Sequence, residues 1–285
     1  MAPPLKSSTA ASIFRTIAFS RYSARRFQPN KEIPSPILQN ILQTTLTSPS
    51  GFNLQPTHVI LVQCPKIKQQ LSKNAMLGAG NIFRTSDASA LAVFLADLEP
   101  NKRIPAILEL EQKSQSRPSG YIASYSVVSS FLLGEGQAAT LFKQMTTDAM
   151  SPIKPMPTID PVQSWSYKNT SLMAQTYVLA ATSHGLATCI MEGFDARRMK
   201  QILNIPDRYD IPLTVATGYE YEGNDMEPFK RTPRLEFSQV FFDNSFGQPL
   251  TFQNEVKTND TDFNDDDNEA KKIKMNTIHS QNSKI

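Results

Sequence analysis

The sequence predicts an α+β fold in which many helices surround one central sheet, mixed or antiparallel. Two kinds of pattern carry this prediction. Apolar residues recur at helical spacing, first over 12–20, which is typical of an amphipathic helix. Short runs dense in β-branched or apolar residues, at 57–64 and 88–97, indicate strands. The two patterns alternate along the chain, so helices and strands are expected to share one domain.

The remaining elements follow from the same signals. A helix is expected between the first two strands, and others at 36–47, 103–113, 124–148 and 195–203, with strands at 188–191 and 213–219. The stretch 99–166 ends in a run broken by prolines at 152, 155, 157 and 161, which interrupt regular structure. We predict that it is a variable excursion lying on the surface.

A central helix is predicted over 168–184. Its residues are apolar on nearly every face, which in a water-soluble protein is typical of a helix buried on all sides. Gly185 follows at the position where glycine commonly ends a helix. This helix is therefore expected at the centre of the molecule.

Length and composition indicate one folded domain with tails. The chain has 285 residues, of which 40% are apolar, enough for one substantial core. Beyond 253 it becomes rich in Asn, Asp and Lys and offers little to bury. We expect a flexible start at 1–9, a domain at 10–253 and a disordered polar tail at 254–285.

Several functional classes are disfavoured. The net charge is only +3, and the basic residues are spread along the chain, so no nucleic-acid-binding surface is predicted. The two cysteines, Cys64 and Cys189, and the scattered histidines lack the spacing of metal ligands. No apolar run approaches the roughly 20 residues that cross a bilayer. We therefore expect no metal, nucleic-acid or membrane partner.

The first chemical signal is Arg21, Ser23 and Arg25, in a segment that nearby prolines keep extended. Alternate side chains of an extended segment point the same way, so two guanidinium groups and a hydroxyl can converge on one anion, and a phosphate fits. A solvated basic turn or a mitochondrial transit peptide are alternative interpretations, because residues 1–31 contain no acid.

The second signal is the segment 48–56, Ser-Pro-Ser-Gly-Phe-Asn-Leu-Gln-Pro, directly before a predicted strand. Its Asn and Gln side chains offer donors and acceptors, as the edge of a flavin ring requires. The alternative is a plain loop between a helix and a strand.

In this order the two segments resemble the opening of the nitroreductase family, a group of flavin mononucleotide (FMN) enzymes. Later segments that resemble the family are Asn81 to Arg84, Trp165 and Lys168, Gly185-Leu186, Met191 to Asp195, and Lys230-Arg231. The resemblance spans about residues 10–253. It implies a nitroreductase-like fold and a homodimer with a long buried central helix.

The resemblance also implies a cofactor site. Arg21, Ser23, Arg25 and Arg231 would hold the FMN phosphate and ribityl chain, with Tyr22 and Lys230 beside them. Asn81 and Arg84 would contact the pyrimidine side of the ring, and the backbone of Met191, Glu192 and Gly193 its reactive nitrogen. The loop of Pro49, Ser50, Gly51 and Asn53 would reach the partner's flavin. Phe52 stands where the family commonly has small residues, and we expect it to contact the substrate.

The implied function is an FMN-dependent oxidoreductase that moves electrons from NAD(P)H to nitroaromatics, quinones or similar small acceptors by a ping-pong mechanism. No catalytic acid or base is required, because flavin carries the chemistry, while Arg84 and Glu192 tune it. Alternatives within the family are enone reduction, reductive dehalogenation and flavin destruction. A flavin-binding storage or regulatory protein is a further alternative.

The expected compartment is the cytoplasm. A mitochondrial location is the alternative suggested by the basic N-terminus, and a peroxisomal one by Ser283-Lys284-Ile285, which is close to the S-K-L signal.

Overall fold

The computed structural model describes residues 7–133, 136–223 and 232–252. By its packing the chain divides into two compact units, one formed by Ser23–Tyr221 and the other by Met1–Tyr22 together with Glu222–Ile285. The tail predicted at 254–285 lies outside the described residues. No helix in the described ranges is both long enough and apolar enough to cross a membrane.

A four-stranded antiparallel sheet forms the centre of the larger unit, as far as this unit is described, in the order β1-β2-β4-β3. The strands are β1 (Thr57–Val62), β2 (Ala90–Asp97), β3 (Ala187–Met191) and β4 (Tyr209–Gly218). The predicted α+β fold is thus confirmed, with an antiparallel sheet. The outer strands β1 and β3 lie about 14 Å apart, because neighbouring strands are about 4.8 Å apart.

The helices are, in chain order, α1 (Ser7–Ser20), α2 (Ser35–Thr45), α3 (Pro65–Asn74), α4 (Ala79–Asp87), α5 (Ile104–Ser114), α6 (Ser119–Leu132), α7 (Gln137–Met150), α8 (Val162–Ser183), α9 (Ala196–Leu203) and α10 (Phe237–Val240). Two helices, α3 and α4, separate β1 from β2 where one was predicted. Gly78 lies between them with φ of +74°, a conformation that glycine adopts without strain.

The main core lies where α2 and α8 pack on the sheet. Phe94 of β2 and Tyr177 of α8 are fully buried there, and their rings meet edge to face at 5.7 Å. Ile41 of α2 and Val215 of β4 are buried in the same cluster. The predicted strands therefore pack against α2 and α8, two helices that the sequence also predicted.

Helix α8 corrects one prediction. It begins at Val162, and it is not buried on all sides within this chain. Ala174, Tyr177 and Val178 face the core, whereas Ser171, Leu172 and Gln175 are exposed, Leu172 by 49%. Apolar and small residues occur on both faces of the helix, so the sequence pattern does not show which face is exposed. Its end is as predicted: Gly185 has φ of +72°, and Leu186 N–H donates to Ala181 O at 3.1 Å.

The excursion at 99–166 forms a short 3-10 helix, Pro100–Arg103, followed by α5, α6 and α7. The prediction that it lies on the surface is wrong, because part of it is buried. Ile104 and Ile107 of α5 and Tyr125 of α6 are buried around Leu54, in a second apolar cluster. Because Leu54 follows the predicted cofactor loop, the excursion is packed directly against that loop.

The smaller unit contains α1 and α10. Helix α1 extends the predicted helix at 12–20 towards the N-terminus, and its Arg15 lies 4.8 Å above the ring of Phe19. In α10, the rings of Phe237 and Phe241 stack at 4.5 Å.

Candidate functional site

The segment that begins at Ser23 runs along the outer edge of β3. Ser23 forms a parallel bridge with Thr188, and Ala24 N–H donates to Thr188 O at 2.9 Å. Ala24 is buried, while Ser23 and Arg25 on either side of it are exposed. The alternation expected of an extended segment is therefore present, and a hydroxyl and a guanidinium group point outward beside β3.

Two consecutive arginines in this segment have different surroundings. Arg26 lies 3.6 Å from a carboxylate oxygen of Asp87, and it also lies over the rings of Phe83 and Tyr221. Within the described residues, Arg25 has neither an ion pair nor a side-chain hydrogen bond. Arg25 is therefore the arginine whose guanidinium group is available to an anion.

Helix α4 ties this segment to the residues that follow β3. Arg84 Nε donates to Ala24 O at 3.0 Å, and Arg84 Nη1 donates to Asn81 Oδ1 at 3.1 Å. Asn81 Nδ2 in turn donates to Gly193 O at 3.1 Å. The predicted groups around Arg25, Asn81 and Gly193 thus meet at one edge of the sheet.

Gly193 lies too close to Asn81 for any larger residue to fit without movement. A Cβ atom at Gly193 would be 2.6 Å from Asn81 Nδ2. Its carbonyl also accepts a hydrogen bond from Leu77 N–H at 2.9 Å. A larger residue here would displace the Asn81 side chain, so the close approach favours glycine.

The backbone at the end of β3 offers a donor to the outside of the sheet. Thr188 O accepts from Ala24, so the backbone groups of Thr188 face the free edge. Backbone groups of alternate residues in an antiparallel strand face the same side, so those of Ile190 face it too. Glu192 follows the last residue of β3, and its carbonyl accepts a hydrogen bond from Phe194 N–H at 3.0 Å. Among the described residues, no backbone acceptor pairs with the Glu192 N–H.

The charge of Arg84 acts on β3. Burial raises the pKa of the Cys189 thiol, and the positive charge of Arg84 opposes that shift, so the charge is felt on β3. Met191 is buried, and the side chain of Glu192 is exposed. A partly buried cation beside free backbone donors suits a bound group that gains negative charge.

The second predicted segment forms a left-handed turn before β1. Phe52 (φ 54°, ψ 17°) and Asn53 (φ 54°) both have positive φ, which costs an ordinary L-residue about 1–2 kcal/mol. Ser50 Oγ accepts from Gln55 N–H at 2.9 Å and closes the turn. Surrounding contacts must supply the free energy that holds two such residues in sequence.

Gly51 and Pro49 complete the loop. Gly51 N–H donates to Asn169 Oδ1 of α8 at 2.8 Å, and a Cβ at Gly51 would be 2.9 Å from the ring of Trp165. Pro49 is exposed. The small residue at Gly51 therefore allows the loop to pack against α8.

Phe52 and Asn53 are held by the excursion. Asn53 Nδ2 donates to Glu111 Oε1 at 2.8 Å, and Tyr125 OH donates to Phe52 O at 2.7 Å. Asn53 Oδ1 accepts from Gln55 Nε2 at 3.3 Å. The Asn53 carboxamide, predicted to approach a flavin, thus has two partners within its own chain.

The predicted residues form two groups on opposite edges of the sheet. Ser23, Arg25, Asn81, Arg84 and the Met191–Gly193 segment gather at β3, whereas the loop 49–53 precedes β1. Arg21 and Tyr22 belong to the smaller unit, and Lys230 and Arg231 lie outside the described residues. The cofactor roles of these four residues, like those of the residues in the two groups, stay predictions.

Sequence reasoning missed Glu111, Tyr125 and Asn169, which hold the loop. Nothing in the local pattern around Glu111 or Tyr125 distinguishes them from other helical residues. Asn169 gave a usable signal, because an amide within a largely buried helix requires a hydrogen-bond partner.

Comparison with known proteins identifies the family. A family model described as "Nitroreductase family" matches residues 18–219. The chain is 27% identical over 208 residues to an NADH dehydrogenase of Thermus thermophilus. The matched region covers 73% of this chain and 87% of the relative. It is 24% identical to the CLA biosynthesis enone reductase of Lactiplantibacillus plantarum, over 71% of this chain and 83% of the relative.

A solved structure agrees with these matches. A protein from Exiguobacterium sibiricum, crystallised in complex with FMN, is 16% identical and superposes with a TM-score of 0.56, covering 77% of this chain and 93% of its own. At this identity the likeness shows the fold. Since the family model spans more than half of the sequence, the chain belongs to the nitroreductase family.

Proposed function

We propose that this protein transfers electrons from NAD(P)H to a nitroaromatic, a quinone or a similar small acceptor by a ping-pong mechanism at one shared site. The broader statement, an NAD(P)H-dependent oxidoreductase that uses FMN, follows from membership of the family. The observation that carries the proposal is the chain of hydrogen bonds from Ala24 through Arg84 and Asn81 to Gly193.

The residues at the β3 edge fit FMN chemically. Arg25 and Ser23 offer a cation and a hydroxyl, which suit a terminal phosphate. The Glu192 N–H, which has no backbone acceptor among the described residues, and the charge of Arg84 suit a flavin ring, whose carbonyls and ring nitrogens accept hydrogen bonds. When bound, FMN supplies the hydride and electron transfer. The chain's own task is then to bind, to orient and to favour negative charge at this edge.

We also propose that the active unit is a homodimer with two composite sites. The loop 49–53 lies at the β1 edge, about 14 Å of sheet away from the β3 edge, so a single chain does not bring the two groups together across the sheet. A two-fold axis would place the loop of one chain at the β3 edge of the other. The exposed face of α8, with Ser171, Leu172 and Gln175, offers a surface for that contact.

A second acceptor class is supported by one comparison. The Lactiplantibacillus relative is named for enone reduction, so an α,β-unsaturated ketone is a reasonable alternative acceptor. Reductive dehalogenation, flavin destruction and slow storage of flavin lack a supporting observation. The cytoplasmic location stays a prediction from sequence.

The test is a steady-state panel of nitroaromatics, quinones and enones with NADH or NADPH as donor. Parallel lines in double-reciprocal plots and turnover with nitro or quinone acceptors are expected. Turnover with enones alone would replace the acceptor class, and a protein that binds FMN but turns over none of them would reduce the proposal to a flavin-binding function.

A further inference from the structure

We propose that Glu111 and Tyr125 are positioning residues, which fix the left-handed turn at Phe52 and Asn53 and thereby set the choice of acceptor. This inference rests on the proposed function, in which that turn lies at the substrate site. It gives a role to the excursion at 99–166, to which the sequence motifs assign none.

The loop is anchored mainly by the excursion. Arg103 hydrogen-bonds the carbonyl of Gln55, Glu111 accepts from Asn53, and Tyr125 donates to the carbonyl of Phe52. Each of these three anchors comes from a different element, namely the 3-10 helix Pro100–Arg103, α5 and α6. The loop's conformation therefore depends on how these elements are packed.

Glu111 is suited to a fixed position. Glu111 is only 4% exposed. Its carboxylate accepts hydrogen bonds from Asn53 Nδ2 at 2.8 Å and from Ser116 Oγ at 2.9 Å. The hydrogen bond from Asn53 is the main cause that holds the pKa of Glu111 below its ordinary value; the Ser116 bond and nearby Arg117 act in the same direction. The acceptor of the Asn53 carboxamide thus stays ionised at neutral pH.

Tyr125 holds the other half of the turn. It is 2% exposed and packs with Leu54 and Ile107. Burial raises the pKa of Tyr125 to about 12, so its hydroxyl keeps the proton that it donates to Phe52 O. A backbone carbonyl fixed in this way sets the direction in which the Phe52 side chain leaves the turn.

The direction of the Phe52 side chain determines which acceptors fit. An aromatic side chain at positive φ is uncommon, and without its anchors the turn would relax towards ordinary conformations. The Phe52 ring would then move relative to the substrate. A large acceptor depends on that ring's position more than a small one, so discrimination between acceptors is the property that loss of the anchors changes.

The first measurement is hydrogen–deuterium exchange on the full chain as purified. Tyr125→Phe and Glu111→Ala are each expected to speed amide exchange in residues 50–55 by roughly three- to tenfold, the size expected for loss of one buried hydrogen bond. Glu111→Gln, whose amide oxygen still accepts from Asn53, should lie closer to the parent. This measurement requires no turnover, so it tests the anchors even if the protein does not reduce the proposed acceptors.

Tyr177→Phe is the matched control. It removes another buried tyrosine hydroxyl, which bonds Thr217 Oγ1 at 3.0 Å in the main core, far in sequence from the loop. It should lower thermal stability as Tyr125→Phe does, without faster exchange in residues 50–55.

The second measurement compares kcat/KM for benzoquinone and for the larger menadione in the FMN-loaded enzyme. Tyr125→Phe and Glu111→Ala should change the ratio of the two values by at least threefold, and Tyr177→Phe should not. Unchanged exchange in residues 50–55, or an unchanged ratio in both anchor variants, would overturn the inference. Failure of the parent to bind FMN would instead overturn the proposed function.

Discussion

Arg84 Nε donates a hydrogen bond to the carbonyl oxygen of Ala24 at 3.0 Å, and this contact joins two segments that are sixty residues apart in sequence. Ala24 is itself bonded to Thr188 of β3. Arg84 therefore connects the segment of Ser23 and Arg25 to α4, and through Asn81 to Gly193.

Replacing Arg25 with Ala should weaken FMN binding at least tenfold with little effect on folding. A charge-assisted hydrogen bond contributes about 1.5–3 kcal/mol, and Arg25 is exposed. Fluorescence titration of the apoprotein with FMN measures the affinity.

Arg26→Ala is the control, because its guanidinium group is already engaged by Asp87 and two rings. It should lower the melting temperature more than it lowers FMN affinity. Equal FMN affinity in Arg25→Ala and the parent would show that the phosphate lies elsewhere.

Replacing Gly193 with Ala should displace Asn81, because the new Cβ would lie 2.6 Å from Asn81 Nδ2. Because a hydrogen bond is broken, we expect the free energy of unfolding to fall by about 1 kcal/mol. FMN binding should also weaken. In the background of Asn81→Ala the same change should cost much less, since the clash is gone. Urea unfolding of both single variants and the double variant gives the coupling free energy, and additive effects would contradict this account of Gly193.

The sequence allowed the β3-edge group to be predicted because its residues lie in short segments with distinct chemistry. The extended basic segment has a physical reason that can be stated without coordinates, whereas the parts of Asn81, Arg84 and Gly193 were implied by the resemblance to the nitroreductase family. A central sheet, expected to be mixed or antiparallel, and the capping glycine at 185 could be predicted for the same reason. A feature that depends on neighbouring residues in the sequence can be predicted from the local pattern.

The rest depends on contacts between distant residues. Whether Leu172 faces the core or solvent depends on which side of α8 meets the sheet, and small residues on both sides hide this. Glu111 bonds Asn53 across 58 positions of sequence, and neither residue carries a local sign of the other. The excursion was therefore predicted as a surface segment, although it packs on the loop.

Asp97 predicts a specific loss of stability in acid. It is fully buried and accepts two hydrogen bonds from Arg208 at 2.7 Å and one from Arg103 at 3.2 Å. Burial by itself would raise the pKa of Asp97, but the hydrogen bonds from Arg208 and the Glu99 N–H outweigh it, so the pKa lies below 3.8. A depressed carboxyl pKa stabilises the fold above the unfolded value of about 3.9, and this is lost as pH falls through the folded value.

Asp97→Asn should therefore lower the free energy of unfolding at pH 7 by about 3 kcal/mol, and the difference from the parent should shrink below pH 3.8. Urea unfolding at pH 7, 5 and 3 measures it. The exposed Asp148 supplies the control variant, Asp148→Asn, which should follow the parent at each pH. A constant difference for Asp97→Asn would mean that its carboxylate has no depressed pKa.

Subunit complementation tests the composite site. One chain carries Ser23→Ala and Arg25→Ala, the other Ser50→Ala and Asn53→Ala, and each homodimer should be nearly inactive. In the mixed dimer one site collects all four defects and the other has none, so activity should return on subunit exchange. Absence of recovery in proven heterodimers would place each site within one chain.

Identification of the flavin and of its reductant tests whether this chain is an NAD(P)H-dependent FMN oxidoreductase. Chromatography of the cofactor released from the protein as purified, before any flavin is added, should give FMN. Anaerobic addition of NADH or NADPH should bleach its visible absorption, and a quinone should then restore it. If the protein releases FAD, cannot be reconstituted with FMN when it is purified without flavin, or holds FMN that neither nicotinamide bleaches, it is not an NAD(P)H-dependent FMN oxidoreductase.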